Sequence, residues 1–131
     1  VEAEFDDYTI YVYTPQMIAA EKLRAICQQM PSYGQVKNKR ARARDFYDLH
    51  TVITRVPVDL ASAQFHELTR AIFAAKAVPL QLIPEIVHQR EFHRPDWPSV
   101  LLALTVRAEE FDVYFDFVLA ETAKLKPLWE I

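Results

Sequence analysis

Two opposite charges lie where helical periodicity predicts apolar side chains. In the segment from Pro15 to Met30, apolar residues recur at helical spacing, and Lys22 falls inside their arc. In a second predicted helix, from Arg44 to Val56, Asp45 falls inside the apolar arc in the same way. Burial of an ionised group without a partner costs several kcal/mol of folding free energy, so a charge in an apolar stripe is either paired or used in chemistry. We therefore predict that Lys22 and Asp45 approach each other within salt-bridge range or through one water.

A purely structural role explains the same pattern. Asp45 lies in the first turn of its helix, where the helix dipole and free N–H groups favour a carboxylate. Lys22 can extend past its apolar neighbours to reach water. A cap or an ion pair therefore remains an alternative to catalysis.

The segment between the two helices is strongly basic, although the whole chain has a formal net charge of −3. Its basic residues are Lys37, Lys39, Arg40, Arg42 and Arg44. Such a local concentration favours an anion, and we predict contact with the phosphates of a nucleotide or of an RNA such as tRNA. The alternative is a solvated loop that only complements Glu21, Asp45 and Asp48.

Composition excludes several classes of protein. A single glycine, Gly34, rules out a dinucleotide-binding fingerprint and a phosphate-binding P-loop within this sequence. A single cysteine, Cys27, rules out an intrachain disulfide and favours a cytoplasmic location. No apolar run has the length of a membrane span, so we predict no membrane partner. The four histidines show no zinc-ligand spacing and are expected to face solvent.

The elements predicted from the pattern give a mainly α fold. An N-terminal β-strand over Tyr8–Tyr13 is followed by a bundle of roughly five or six helices. Beyond the first two helices, we predict helices over residues 59–76, 80–90, 96–107 and 111–125, with Asp59 and Asp96 as N-caps. We interpret residues 1–131 as one domain, in which 1–56 carry the motifs and 57–131 form a helical scaffold.

The sequence resembles the C-terminal half of the AbiEii/AbiGii nucleotidyltransferase-like toxins in two short motifs. These are EKLRAI (Glu21–Ile26) and ARDFYDL (Ala43–Leu49), in this order and at this separation. These are the effectors of bacterial type IV toxin–antitoxin systems that act in abortive infection. The resemblance implies a polymerase-β-like nucleotidyltransferase, in which Lys22 contacts the nucleotide phosphates and Asp45 completes the active centre. Asp48 is the less favoured catalytic carboxylate. The resemblance also implies Mg²⁺ and a nucleoside triphosphate as cofactors of the intact protein, an antitoxin partner, and a nucleotidyltransferase sheet to which the Tyr8–Tyr13 strand belongs.

The sequence departs from that family at the metal site. The Gly-Ser loop and the Asp-x-Asp pair of the family are both absent from it. We therefore expect the C-terminal part of a larger protein, which holds no metal and no cofactor alone and is inactive by itself. Two other functions remain open: a non-catalytic helical module that binds a protein such as an antitoxin, and a stand-alone helical protein in which Lys22 and Asp45 form only a structural pair.

Overall fold

A computed structural model describes residues 2–5, 8–11 and 13–130. At its start, β1 (Glu2–Phe5) and β2 (Tyr8–Tyr11) form an antiparallel ribbon, in which Glu2 pairs with Tyr11 and Phe5 with Tyr8. The predicted strand over Tyr8–Tyr13 extends into residue 12, which lies outside the described residues. Membership of this segment in a nucleotidyltransferase sheet stays a prediction.

Helices dominate the rest of the described chain, which confirms the prediction of a mainly α protein. The α-helices are α1 (Pro15–Cys27), α2 (Ala43–Arg55), α3 (Ala63–Ala75), α4 (Arg90–His93), α5 (Trp97–Ala103) and α6 (Phe111–Thr122). Three further segments are 3₁₀ helices: Leu80–Gln89, Arg94–Asp96 and Ala123–Leu128.

Several predicted helix ends are wrong by a few residues. The predicted cap Asp59 is not the cap of α3, because the Ser62 hydroxyl accepts the Phe65 N–H at 3.1 Å and starts the helix there. The predicted helix over 80–90 is a 3₁₀ helix containing Pro84, which has no N–H to donate to an α-helical bond. Val56, the predicted last residue of the second helix, lies just beyond α2 and is 46% exposed.

One hydrophobic core draws on both of the predicted segments, 1–56 and 57–131. Helix α1 packs on α2 and α3, and α2 also packs on α5 and α6. Phe46 lies at the centre, fully buried, with its ring stacked on Phe115 at 5.0 Å and edge-on to Phe111 at 5.6 Å. Because Asp45 is the neighbour of this anchored residue, these ring contacts fix the start of α2 against α6. The division into a motif segment and a scaffold stays a prediction.

Among the described residues, no single helix is long and apolar enough to cross a membrane. Residues 63–75 and 80–103 together have the length and composition of a membrane span, but the two segments are bent by 90° relative to each other.

Candidate active site

Lys22 and Asp45 meet between α1 and α2. The Lys22 Nζ donates to Asp45 Oδ1 at 2.9 Å, which confirms the predicted approach of the two side chains. Their environments differ, since the Asp45 side chain is 5% exposed and the Lys22 side chain is 29% exposed. The carboxylate is therefore the buried member, and the ammonium reaches it from the edge of the solvent.

The pair belongs to a row of alternating charges. Lys22 also donates to Asp48 Oδ2 at 3.1 Å, one helical turn after Asp45. The second oxygen of Asp45 accepts from Arg42 Nε, and the second oxygen of Asp48 accepts from Arg44 Nε at 3.2 Å. The row runs Arg42, Asp45, Lys22, Asp48, Arg44. Each carboxylate is thereby held between two cations, so burial of Asp45 is compensated.

The surroundings keep Lys22 charged. Burial acts to lower the pKa of Lys22, but the hydrogen bonds and negative charges of Asp45 and Asp48 outweigh it and raise the pKa above its usual 10.5. An ammonium has three N–H donors, and the two carboxylates take one each. Among the described residues no further acceptor for Lys22 is found, so its third donor can meet an incoming anionic oxygen.

Three arginines of the basic segment border an open groove beside Asp45. The groove has a volume of about 370 Å³ and is lined by Arg40, Ala41, Arg42, Arg44, Asp45 and Asp96. Its lining carries three positive and two negative side chains, which leaves a net charge of +1. Lys22 is absent from the lining, and Asp45 connects it to the groove. The groove is therefore suited to an anion that meets guanidinium groups first.

The two lysines of the basic segment are placed differently. Lys37 is exposed and lies away from the groove lining. Lys39 turns back toward the end of α1, where its Nζ donates to the carbonyl oxygens of Gln28, at 3.3 Å, and Tyr33. It also lies over the Tyr33 ring, 5.4 Å from the centroid. In this structure the hydrogen bonds of Lys39 connect the basic segment to the end of α1. Its predicted phosphate contact stays a prediction.

His93 and Asp96 are residues of the site that the sequence analysis missed. Helix α2 begins after Arg42, whose side chain cannot accept a hydrogen bond from the helix. The Arg42 N–H instead donates to His93 Nδ1 at 2.9 Å, and the Ala43 N–H donates to Asp96 Oδ2 at 3.1 Å. No signal in the sequence identifies these two residues, because the first N–H groups of every helix lack an acceptor within the helix and the sequence does not show which distant side chain supplies one.

Two expectations about these residues are corrected. His93 is fully buried, whereas the histidines were expected to face solvent. Burial lowers its pKa to about 4; the charge of Asp45 opposes this effect and that of Arg42 adds to it. Asp96 stands at the start of α5 but makes no side-chain cap there, because its carboxylate is directed to α2.

The described residues do not fit a catalytic metal. They contain no group of three or more His, Cys, Asp or Glu side chains arranged to hold an ion. Asp45 and Asp48 both bond Lys22, and each already accepts from two cationic side chains. A metal would have to displace Lys22 from between them. By contrast, the donors Lys22, Arg40, Arg42 and Arg44 have the chemistry that phosphate oxygens require.

Comparison with known protein families gave a match over most of the chain. A family model described as "Nucleotidyl transferase AbiEii toxin, Type IV TA system" matches residues 1–121. No curated protein and no solved structure matches the chain. The matched residues include both helices of the charge row and the segment that carries His93 and Asp96.

Proposed function

The chain belongs to the AbiEii nucleotidyl transferase toxin family of type IV toxin–antitoxin systems, and on that premise we propose that Lys22 and Asp45 are part of a nucleotidyltransferase active centre. The observation that carries this proposal is the ammonium of Lys22, bonded at 2.9 Å to a carboxylate that is 5% exposed. Family membership also implies an antitoxin partner.

Lys22 is the phosphate-contacting group in this proposal. Its raised pKa keeps it protonated, and 29% of its side chain is exposed, so a ligand can reach it. Asp45 and Asp48 hold the ammonium in place, which orients its remaining donor before a substrate arrives. Preorganised positive charge of this kind stabilises the negative charge that develops on a transferring phosphoryl group.

The groove beside Asp45 supplies the second anion contact. Arg40, Arg42 and Arg44 border it and can meet the phosphates of a nucleoside triphosphate or of an RNA acceptor such as tRNA. Arg42 and Arg44 are also tied to Asp45 and Asp48, so their guanidinium groups have fixed positions. Guanidinium groups that are already held in place lose less side-chain freedom when they bind phosphate oxygens.

The remaining parts of the reaction lie outside this sequence. Mg²⁺ held by the intact family member would supply positive charge next to the transferred phosphates. The described residues do not fit that ion, and the Gly-Ser loop and Asp-x-Asp pair are absent from the sequence. Residues 15–55 thus contribute the lysine, the aspartate and the arginine groove to a centre whose metal-binding part is supplied elsewhere.

The matched pair Asp45→Asn and Asp48→Asn tests the proposal. Each substitution removes one carboxylate that bonds Lys22, and the two sites are one helical turn apart. In the intact protein, with the segment that carries the Gly-Ser loop and the Asp-x-Asp pair, transfer of a labelled nucleotide should fall about 100-fold or more in Asp45→Asn and less than about 10-fold in Asp48→Asn. Circular dichroism and thermal melts check that both variants are folded. Equal activity in the two variants would contradict the assignment of Asp45.

A second candidate function is a non-catalytic helical module that binds the antitoxin. Exposed apolar side chains favour it: Leu102 on α5 is 89% exposed, and Leu101 borders a groove of about 570 Å³. Under this alternative, Leu102→Asp should weaken antitoxin binding, while Asp45→Asn should leave that binding unchanged. Isothermal titration with the antitoxin tests this surface, and nucleotide transfer by the intact wild-type protein, expected only for the first candidate, separates the two.

A further inference from the structure

The backbone N–H groups of Arg42, just before α2, and of Ala43, its first residue, are bound by side chains from a segment more than fifty residues later. His93 Nδ1 accepts from the Arg42 N–H and Asp96 Oδ2 accepts from the Ala43 N–H. A Ser, Thr, Asp or Asn at position 42 would bond the N–H of residue 44 or 45 and not these two donors, so both need acceptors from other parts of the chain. Here the position of the helix start depends on a distant segment of the chain.

That segment is itself held firmly. Arg90 donates to Asp112 at 2.9 Å, and Arg94 donates to the same carboxylate at 2.7 Å, which ties residues 90–96 to α6. The Arg90 guanidinium also lies over the Phe115 ring, 4.4 Å from its centroid. The segment thus contacts α6 on one side and the start of α2 on the other.

The protonation state of His93 follows from this geometry. Because Nδ1 accepts a hydrogen bond, the ring is neutral and its proton is on Nε2. Nε2 is buried and has no hydrogen-bond partner among the described residues. A buried, unsatisfied N–H is destabilising, so packing alone would be served better by phenylalanine at this position. What a phenylalanine cannot supply is the acceptor for Arg42.

We infer that His93 and Asp96 are positioning residues for the charge row of α2, which hold the helix start so that Arg42 and Asp45 keep their places beside Lys22 and the groove. Arg42 is the link: its N–H is held by His93 and its Nε by Asp45. Loss of the His93 acceptor therefore displaces both the groove and the buried carboxylate. The inference rests on the proposed function for its catalytic consequence, and its structural part stands alone.

Two substitutions at His93 form a matched test in the intact protein. His93→Phe keeps a ring of similar shape and removes the acceptor. His93→Asn places an amide oxygen at the δ position, close to where Nδ1 lies, and keeps the acceptor. We expect His93→Phe to lower kcat by about 10- to 100-fold with little change in KM, and His93→Asn to restore kcat to within about threefold of wild type.

Amide hydrogen exchange gives a readout that needs no activity. The N–H groups of Arg42 and Ala43 should exchange at least about 10-fold faster in His93→Phe than in His93→Asn, and the carboxyl carbon resonance of Asp45 should shift only in His93→Phe. If the wild-type protein transfers no nucleotide, the proposed function fails, and the exchange and the Asp45 resonance still decide the inference. Unchanged exchange with an unchanged Asp45 resonance in a folded His93→Phe would overturn it.

Asp96→Ala provides the second test if His93→Phe does not fold. Asp96 is only half-buried, so water can replace its carboxylate without loss of the fold. Faster exchange of Ala43, a shifted Asp45 resonance and a lower kcat are expected. A lower melting temperature with normal kcat and a normal Asp45 resonance would show that the segment only stabilises the fold, and would overturn the inference.

Discussion

Replacement of Lys22 by methionine should lower the free energy of unfolding by an amount between the values for a buried and for an exposed ion pair. Breaking a buried ion pair by removing one partner costs about 3–5 kcal/mol, whereas an exposed pair contributes about 0–1 kcal/mol. Asp45 is at the buried limit, with 5% of its side chain exposed, but Lys22 is 29% exposed and Arg42 remains as a second partner of Asp45. We expect a loss of about 2–3 kcal/mol for Lys22→Met.

The expected change in melting temperature follows from the size of the chain. With an unfolding entropy of about 2.1 cal/mol/K per residue, 131 residues give about 0.28 kcal/mol/K. A loss of about 2–3 kcal/mol therefore lowers the melting temperature by about 7–11 °C. Urea titration should show a lower midpoint with an unchanged slope, because the fold itself is retained.

Arg44→Gln is the matched control for this experiment. Arg44 also pairs with a carboxylate of the charge row, Asp48, but its side chain is 51% exposed. Its loss should lower the free energy of unfolding by less than about 0.5 kcal/mol. A double-mutant cycle of Lys22→Met with Asp45→Asn should give a coupling energy of about 1.5 kcal/mol or more, since the residues are in direct contact. Equal destabilisation by Lys22→Met and Arg44→Gln would refute the argument that burial of Asp45 requires the ammonium.

Three further predictions concern binding, pH and activity. In the intact protein, Arg40→Gln should weaken binding of RNA or nucleotide and reduce the slope of log affinity against log salt by about one, while Lys37→Gln, away from the groove, should change the slope less; equal slopes would show that the groove binds no phosphate. Burial lowers the pKa of His93 from 6.5 to about 4, so below pH 6.5 the unfolded chain binds a proton that the folded chain does not. The contribution of His93 to the free energy of unfolding is therefore fully present above pH 6.5 and is lost, by about 3 kcal/mol, as the pH drops through 4. Urea unfolding at about pH 7.5 and about pH 4.5 should give two free energies of unfolding whose difference is smaller in His93→Phe than in the wild type. An undiminished difference in that variant would assign the effect to other groups. The 131-residue chain alone should transfer no labelled nucleotide, because its described residues contain no arrangement of ligands for a catalytic metal; metal-dependent transfer by this chain would contradict the prediction.

The sequence by itself determined the two motif helices and the meeting of Lys22 with Asp45. Helical periodicity is a local property, because residues three and four apart share a face whatever the rest of the fold does. The apolar arcs of α1 and α2 therefore placed both charges on inward faces, and the cost of burying an unpaired charge required a partner. The resemblance to the family was also found in short motifs of these two helices, EKLRAI and ARDFYDL. The exact helix ends were less accessible: the sequence predicted Asp59 as the cap of α3, whereas the Ser62 hydroxyl accepts the Phe65 N–H and caps the helix.

The tertiary structure decided everything that depends on residues far apart in the chain. No local pattern connects His93 and Asp96 to the start of α2, because the hydrogen bonds to Arg42 and Ala43 span 51 and 53 residues. The contacts of the basic residues could not be predicted either, because the sequence does not distinguish an exposed lysine from one whose ammonium bonds backbone carbonyls. Lys39 turned to the end of α1, while Arg40, Arg42 and Arg44 bordered the groove. Side-chain direction in a loop is set by whichever acceptors the packed helices bring within reach, and periodicity carries no information about them.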